Sequence, residues 1–320
     1  MAYRFAFVMD PLESVMPDKD TTFVFMLEAL ARGHELFFVG LKDLYTRGHQ
    51  GFARARRCEV MRDAPQHFRF LDDGAQYPLE HFNAIFMRKD PPADANYLYA
   101  TMLLSLADSH RTFVLNHPAG LREANEKLYS LNFPEAIPPT IVTYEIPRLK
   151  QFMEEQGGEM IVKPLDGHGG EGVFHAHARD RNLNAILETV TRFETRPIMG
   201  QRYIPEVRNG DKRVIVLNGV PLGGTFRVPR EDEHRGNIHV GGFCVKAELT
   251  ARDREICRMM RPRFERDGLY FVGLDIIGDY VTEVNVTSPT GVQEINRLDG
   301  VKLEAHVIDF MESRVAGLKG

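Results

Sequence analysis

The chain has 320 residues, 43% hydrophobic and 27% charged, an ordinary globular balance for about two domains. Forty Lys and Arg against 45 Asp and Glu leave a formal charge of −5. That excludes a general nucleic-acid coat protein, which needs excess cationic charge, but leaves room for a local anion pocket. Cys58, Cys244 and Cys257 are far apart and form no CxxC, so a disulfide framework or Cys-rich zinc site is excluded and a reducing cytoplasm is expected. The opening apolar run is too short for a signal peptide, and no stretch approaches ~20 apolar residues. A soluble protein is expected, with neither membrane nor nucleic acid as partner.

In chain order, Phe5–Met9 reads as a buried strand ending at Asp10-Pro11. Asp20 can cap a helix whose apolar positions Phe23, Met26, Leu27 and Leu30 keep 3.6-residue spacing, and Gly33 stops it. Leu36–Val39 is a strand. Ile85–Met87 is another, ending at Arg88-Lys89-Asp90-Pro91-Pro92. Asp94 can cap a helix to about Ala107, and Phe113–Leu115 is again a strand. Strand–helix–strand alternation predicts a mainly parallel sheet covered on both faces, with ligands beyond the carboxyl ends of its strands. Asp10 and Arg88-Lys89-Asp90 lie at two such ends, either as a ligand site or as charges that merely mark strand exits.

Prolines 138, 139 and 147 mark a break. Met160–Val162 is then a short strand, followed by Lys163-Pro164-Leu165-Asp166 and the cluster Gly167-His168-Gly169-Gly170-Glu171-Gly172. Val173–Ala178 alternates like a strand, and Leu183, Ile186, Leu187, Val190 and Phe193 trace a helix face. Ile198–Ile204, Arg213–Leu217 and Tyr270–Ile277 are further strands, and a last helix spans about Lys302 to Ala316. Segment 221–247, glycine-rich, charged and weakly periodic, reads as a long functional loop.

The glycine cluster matches GxGxxG, but a dinucleotide site needs a helix after the glycines and a Walker loop needs Lys-Ser/Thr. The alternating strand that follows excludes the first, and the second is absent. A hairpin loop remains, whose backbone N–H groups can approach phosphate oxygens while Lys163 adds a point charge. The bland alternative is a plain glycine-rich turn.

Around Gly278-Asp279 two apolar strands carry Asp275 on one side and Glu283 and Asn285 on the other. Glu283 and Asn285, two apart, share a face. A carboxylate with an amide oxygen suits a hard cation such as Mg²⁺. A strict two-residue turn would set Asp275 opposite Thr282, facing away, whereas a three-residue loop or a bulge would set it opposite Glu283. We expect the odd-length loop, because a metal site needs convergence. Arg213 opens a strand that otherwise reads as buried, and Arg227 and Arg235 flank Val228–His234. Arginine forks of this kind bind carboxylates and phosphates. His175 and His177 share a strand face without a third ligand, and the cysteines read as unpaired thiols.

Taken together, Val8-Met9-Asp10-Pro11, Met87–Pro92, Asn125-Glu126-Lys127, Ile161–Gly170, Gln201–Pro205, Gly210–Arg213, Arg235-Gly236-Asn237 and Phe271–Asp279 running to Glu283–Thr290 resemble the ATP-grasp superfamily, and closely the bacterial glutathione synthetases. The resemblance implies an α/β fold, α+β in part: an N-terminal parallel α/β substrate domain over 1–122 and an ATP-grasp domain over 123–320. Within the latter it implies a glycine-loop subdomain at about 123–200 and a metal and lid region at about 201–320. The implied reaction joins γ-glutamylcysteine and glycine at the expense of ATP through an acyl phosphate. It further implies that Lys127, Lys163 and the loop residues Gly167, His168, Gly169 and Gly170 bind the nucleotide with Gln201, Tyr203, Ile204 and Asp211. Asp275, Glu283 and Asn285 would hold Mg²⁺, for which Mn²⁺ can substitute. Arg213, Arg227 and Arg235 would clamp the phosphoryl group and carboxylates, and Asp10, Arg88, Asp90, Ser288 and Thr290 would contact the peptide. A homo-oligomer, commonly a tetramer, is implied as well. The charged stretch Pro229–His234 departs from small, glycine-rich lid tips and predicts slower or more salt-dependent closure. The competing readings are an ATP-grasp ligase with another amine or peptide, disfavoured by Met87–Pro92, and a non-catalytic ATP sensor, disfavoured by the complete metal set.

Overall fold

The structure is a computed structural model and describes residues 2–62, 66–228 and 243–318. The N-terminal part contains β1 (Arg4–Val8), α1 (Thr21–Ala31), β2 (Glu35–Val39), β3 (Leu44–Arg47), β4 (Gln50–Val60), β5 (Phe68–Phe70), β6 (Ala75–Pro78), β7 (Ala84–Met87), α2 (Ala95–Leu104), β8 (Phe113–Leu115) and α3 (Pro118–Glu123). The expected caps are in place: Asp20 Oδ1 accepts from Phe23 N–H at 2.7 Å and Asp94 Oδ1 from Tyr97 N–H at 2.9 Å. The second of these helices stops at Leu104, short of the expected Ala107.

Strand order is β3-β4-β2-β1-β7-β8. β2, β1, β7 and β8 run parallel as expected, but β3 to β6, from a segment the sequence reading left unassigned, add an antiparallel wing around β4. The parallel strands are buried along almost their whole length, as a sheet covered on both faces requires.

Next come β9 (Thr140–Thr143), α4 (Ile146–Glu155), β10 (Glu159–Pro164), β11 (Phe174–His177), α5 (Leu183–Thr191) and β12 (Ile198–Arg202). Their antiparallel sheet, ordered β11-β10-β12-β9, shares a small core with both helices through Leu149, Phe152, Val162, Leu187 and Ile198.

The remainder is β13 (Asp211–Leu217), β14 (Val220–Val228), β15 (Phe243–Ala247), α6 (Ala251–Asp267), β16 (Phe271–Ile277), β17 (Tyr280–Asn285), α7 (Val292–Asp299) and α8 (Leu303–Ala316). These strands form a second antiparallel sheet, β15-β14-β13-β16-β17. The expected long loop at 221–247 is corrected here: residues up to Val228 and from Phe243 on are paired strands. α8 returns to the N-terminal layer. Val307, Ile308 and Met311 pack in one core with Phe23 and Phe25, and Arg32 Nη1 donates to Asp309 at 2.6 Å and Glu312 at 3.0 Å.

Candidate active site

The loop between β10 and β11 is a hairpin connection, as its sequence requires. Gly169, Gly170 and Gly172 take φ of 59°, 83° and 69°, left-handed values that a side chain resists. The loop caps a cleft between the two antiparallel sheets. Lys127, Lys163, Gly167, His168, Gly170, Gln201, Tyr203, Ile204, Asp211, Asp275 and Glu283 all line it, and Gly169 lies in the same loop.

Lys163 Nζ donates to Gln201 Oε1 at 3.0 Å and to the Thr282 carbonyl at 2.8 Å. Gln201 in turn donates to Thr140 Oγ1, so its side chain orients the lysine rather than facing a base. Burial pushes the Lys163 ammonium down to about 8, a shift Glu283 opposes and Lys127 reinforces. Lys127 Nζ donates to the Gly167 carbonyl at 2.6 Å and to Glu283 Oε1 at 2.9 Å, tying the loop to the opposite sheet. Tyr203 stacks on His175 with centroids 4.0 Å apart, and His175 contacts Glu159 at 2.9 Å, which gives that histidine a structural role.

On the acidic side, Asp275 stands directly opposite Glu283 and Gly273 opposite Asn285. The convergence is as expected, but its means differ. Gly278-Asp279 is a two-residue turn, with Ile277 paired to Tyr280, and a bulge at Thr282 supplies the extra residue. The bulge also aims the Thr282 carbonyl at Lys163.

Three oxygens on one face make a hard donor set. Glu283 Oε2 and Asn285 Oδ1 have no hydrogen-bond partner among the described residues, and Asn285 Nδ2 is anchored on the Gly273 carbonyl at 3.2 Å. Asp275 is more heavily engaged than its sequence position reveals. It accepts from Arg213 Nε and from Arg213 Nη2 at 3.0 Å, and it pairs with Arg227 Nη2 at 2.8 Å. The residues therefore fit a divalent cation that takes its remaining ligands from phosphates and water.

Arg213 and Arg227 are buried strand residues with acidic partners. Arg227 Nη2 also donates to Asp211 Oδ2, and its Nε to Asp211 Oδ1 at 3.2 Å. Asp211 thus holds Arg227 while it lines the cleft. Burial alone would raise the Asp275 carboxyl, but Arg213 and Arg227 hold it well below the usual carboxylate range. Burial, helped by Asp275, raises Asp211 against the pull of Arg227. The four side chains sum to zero charge, a neutral cluster into which phosphate and metal can enter together. Arg235 and the stretch from Pro229 to His234, expected to act as a lid, lie outside the described residues.

A second group sits where the N-terminal sheet meets the segment after β17. Arg88, 4% exposed, donates from Nε to Thr22 Oγ1 and from Nη2 to the Pro289 carbonyl, both at 3.0 Å. Its guanidinium lies over Phe25 and Phe271, and burial lowers its basicity. Asp10 accepts from Asp90 N–H at 3.1 Å and pairs with Lys89 at 3.0 Å, so it braces the loop after β7. Ser288 is 9% exposed, and the Thr290 carbonyl accepts from Arg213 Nη1 at 3.1 Å.

Sequence reasoning missed Asn116, which joins the end of β8 to β16 and the end of β17. Its Nδ2 donates to the Phe271 and Val286 carbonyls, and its Oδ1 accepts from Phe271 N–H. It included Glu126 in the motif Asn125-Glu126-Lys127 but gave it no role of its own. Neither residue has a local pattern: their partners are about 155 to 170 residues away.

A glycine-loop sheet facing an acidic strand pair across a cleft lined by two lysines places the chain in the ATP-grasp class of ligases. Solved structures of this fold align over nearly the whole chain. A D-cycloserine synthetase covers 97% of this chain and 99% of its own at TM-score 0.67 and 15% identity, and an ATP-grasp ligase in complex with a precursor peptide and AMPPNP covers 97% of each at 0.61 and 16%. The family model described as prokaryotic glutathione synthetase, ATP-grasp domain, matches residues 126–300, and its N-terminal counterpart matches residues 3–122. A glutathione synthetase of Gloeobacter violaceus is 46% identical over 313 residues, covering 96% of both chains, and one of Yersinia pestis is 42% identical over 320 residues, covering 99% of both. The chain belongs to the prokaryotic glutathione synthetase family.

Proposed function

We propose that this chain is an ATP-dependent ligase that joins γ-glutamylcysteine and glycine into glutathione, releasing ADP and phosphate. The observation that carries the reading is the pairing of Asp275 with Glu283 on one wall of a cleft also lined by Lys127, Lys163 and the glycine loop. Family membership supplies the substrate class.

The reaction builds negative charge twice. First, an oxygen of the cysteinyl carboxylate bonds to the γ-phosphorus and the bond to the ADP oxygen breaks. Lys127 and Lys163 hold the phosphates, and the loop backbone closes over them. Arg213 and Arg227, held in place by Asp275 and Asp211, neutralise the oxygens of the moving phosphoryl group. Asp275, Glu283 and Asn285 would hold Mg²⁺, which would supply positive charge to the phosphate oxygens. Mn²⁺ has the same oxygen preference and can replace it. Second, glycine's amine forms the C–N bond, the C–O bond to phosphate breaks, and the amine gives up a proton. No protein nucleophile is needed. Arg88, braced over Phe25 and Phe271, and Ser288 and Thr290 with the Asp10–Asp90 loop hold the peptide.

The reading extends to a cytoplasmic homotetramer. Among the described residues no helix is long and apolar enough to cross a membrane. Tyr99 and Met102 on α2, with Leu106 just beyond it, leave apolar surface that a second copy would cover. ADP release measured with each of Mg²⁺, ATP, γ-glutamylcysteine and glycine omitted in turn tests the activity. Turnover should need all four and give glutathione by mass spectrometry. Turnover with the peptide but without glycine would overturn the acceptor assignment.

A further inference from the structure

The tripeptide Asn125-Glu126-Lys127 touches three separate parts of the site. Asn125 Nδ2 donates to the Leu165 carbonyl at 2.9 Å, at the root of the glycine loop. Lys127 reaches Gly167 and Glu283. Glu126 grips the exit of β17 instead. Its main-chain carbonyl accepts from Val284 N–H at 2.9 Å. One side-chain oxygen, Oε1, accepts from Val286 N–H at 2.9 Å, Thr287 N–H at 3.1 Å and Thr287 Oγ1–H at 2.9 Å.

The gripped residues lie between Asn285, in the metal set, and Ser288, in the peptide set. Beyond them, the Pro289 and Thr290 carbonyls are held by Arg88 and Arg213. Only Glu126 among these holders is bonded in the chain to a nucleotide-site lysine.

We infer that Glu126 is a positioning residue that fixes the 286–288 turn and so sets Ser288 for the peptide substrate. Three donors in a largely buried turn converge on one oxygen. Without it they have no acceptor and the turn carrying Ser288 relaxes, while the Glu126 main-chain bond to Val284 still holds the strand that carries Asn285. What matters is an sp² oxygen at the reach of a glutamate side chain, not its negative charge. This inference rests on the proposed reaction, because it concerns that reaction's peptide site.

The test compares Glu126→Gln, Glu126→Asp and Glu126→Ala with the wild-type chain. For each, KM for γ-glutamylcysteine and kcat come from ADP release, and ATP affinity from equilibrium binding with Mg²⁺ and no peptide. Gln keeps the oxygen in place and should retain peptide KM within about threefold of wild type. Asp keeps the charge but falls one methylene short, and should raise peptide KM at least about tenfold, as should Ala. ATP affinity should change by less than about twofold throughout.

Asp tolerated while Gln fails would overturn the inference and make Glu126 a charge in the site. Unchanged peptide KM in Asp and Ala, with only thermal stability lowered, would reduce Glu126 to a structural clasp. Should the Ala variant not fold, the Gln and Asp pair alone decides. A wild-type chain that does not consume γ-glutamylcysteine would refute the reaction itself, an outcome distinct from any pattern among the variants.

Discussion

Removing the Asp275 carboxylate tests the arginine cluster most severely. Asp275 is 5% exposed, accepts two N–H groups from Arg213 and pairs with Arg227. Asp275→Ala leaves two buried guanidinium groups facing the single carboxylate of Asp211. Breaking a buried ion pair from one side costs about 3–5 kcal/mol, because the orphaned charge stays desolvated. For a chain of this size each kcal/mol lowers Tm by about 2 °C, so the variant should melt ~6–10 °C below the wild type. Asp275→Asn keeps the shape but turns an amide N–H₂ toward an arginine, and should fall between the two. Adding ATP should recover part of the loss in the Ala variant, because its phosphates replace the missing negative charge. Turnover should fall at least about 100-fold in both variants, because a group holding arginines and metal together is lost. Thermal denaturation followed by circular dichroism, with and without Mg-ATP, reads the stability and ADP release reads the turnover. An Asp275→Ala protein melting within about 2 °C of the wild type would refute the cluster argument.

Three further outcomes are expected. Lys163 holds its proton below about 8 in the free protein, and phosphate favours the charged form, so ATP affinity should be flat below that pH and fall about tenfold per unit above it. Isothermal titration across pH 7 to 10 checks this, and an affinity that rises with pH refutes it. Burial pushes the Cys58 and Cys257 thiols up to about 12 and also raises Cys244. Native protein at neutral pH should therefore react slowly with a disulfide reagent, mainly at half-buried Cys244, and release all three thiols only on denaturation. Rapid native labelling of Cys58 would contradict this. The Tyr97 hydroxyl is buried with no partner among the described residues, so Tyr97→Phe should raise stability by about 1 kcal/mol. A lowered Tm would show that the hydroxyl is satisfied.

The parts of this fold that follow local rules were legible in the sequence. Asp20 and Asp94 cap their helices because a short acidic side chain reaches the N3 amide. The glycine cluster reads as a hairpin because an alternating strand follows it. The metal face was legible only up to its register: convergence was expected, while the bulge at Thr282 was one of two ways to reach it.

Elsewhere charge obscured periodicity. β4 carries Arg54, Arg56 and Arg57 on a strand that pairs with four others. α6 buries Ile256, Met260 and Phe264 amid arginines and Pro262. The partners of the arginines were beyond any local pattern, since Arg213 meets a carboxylate 62 positions away. The sequence marked Arg213 and Arg227 as anion-binding forks, and the structure adds that Asp275 and Asp211 hold them in place.

The most direct test follows oxygen from γ-glutamylcysteine labelled with ¹⁸O in its cysteinyl carboxylate. Attack of that carboxylate on the γ-phosphorus, followed by displacement at carbon, predicts one ¹⁸O in the released phosphate and the other in the new amide of glutathione. Phosphate free of label, with glutathione still formed, would contradict an acyl-phosphate route and with it the roles given to Lys127, Lys163, Arg213 and Arg227.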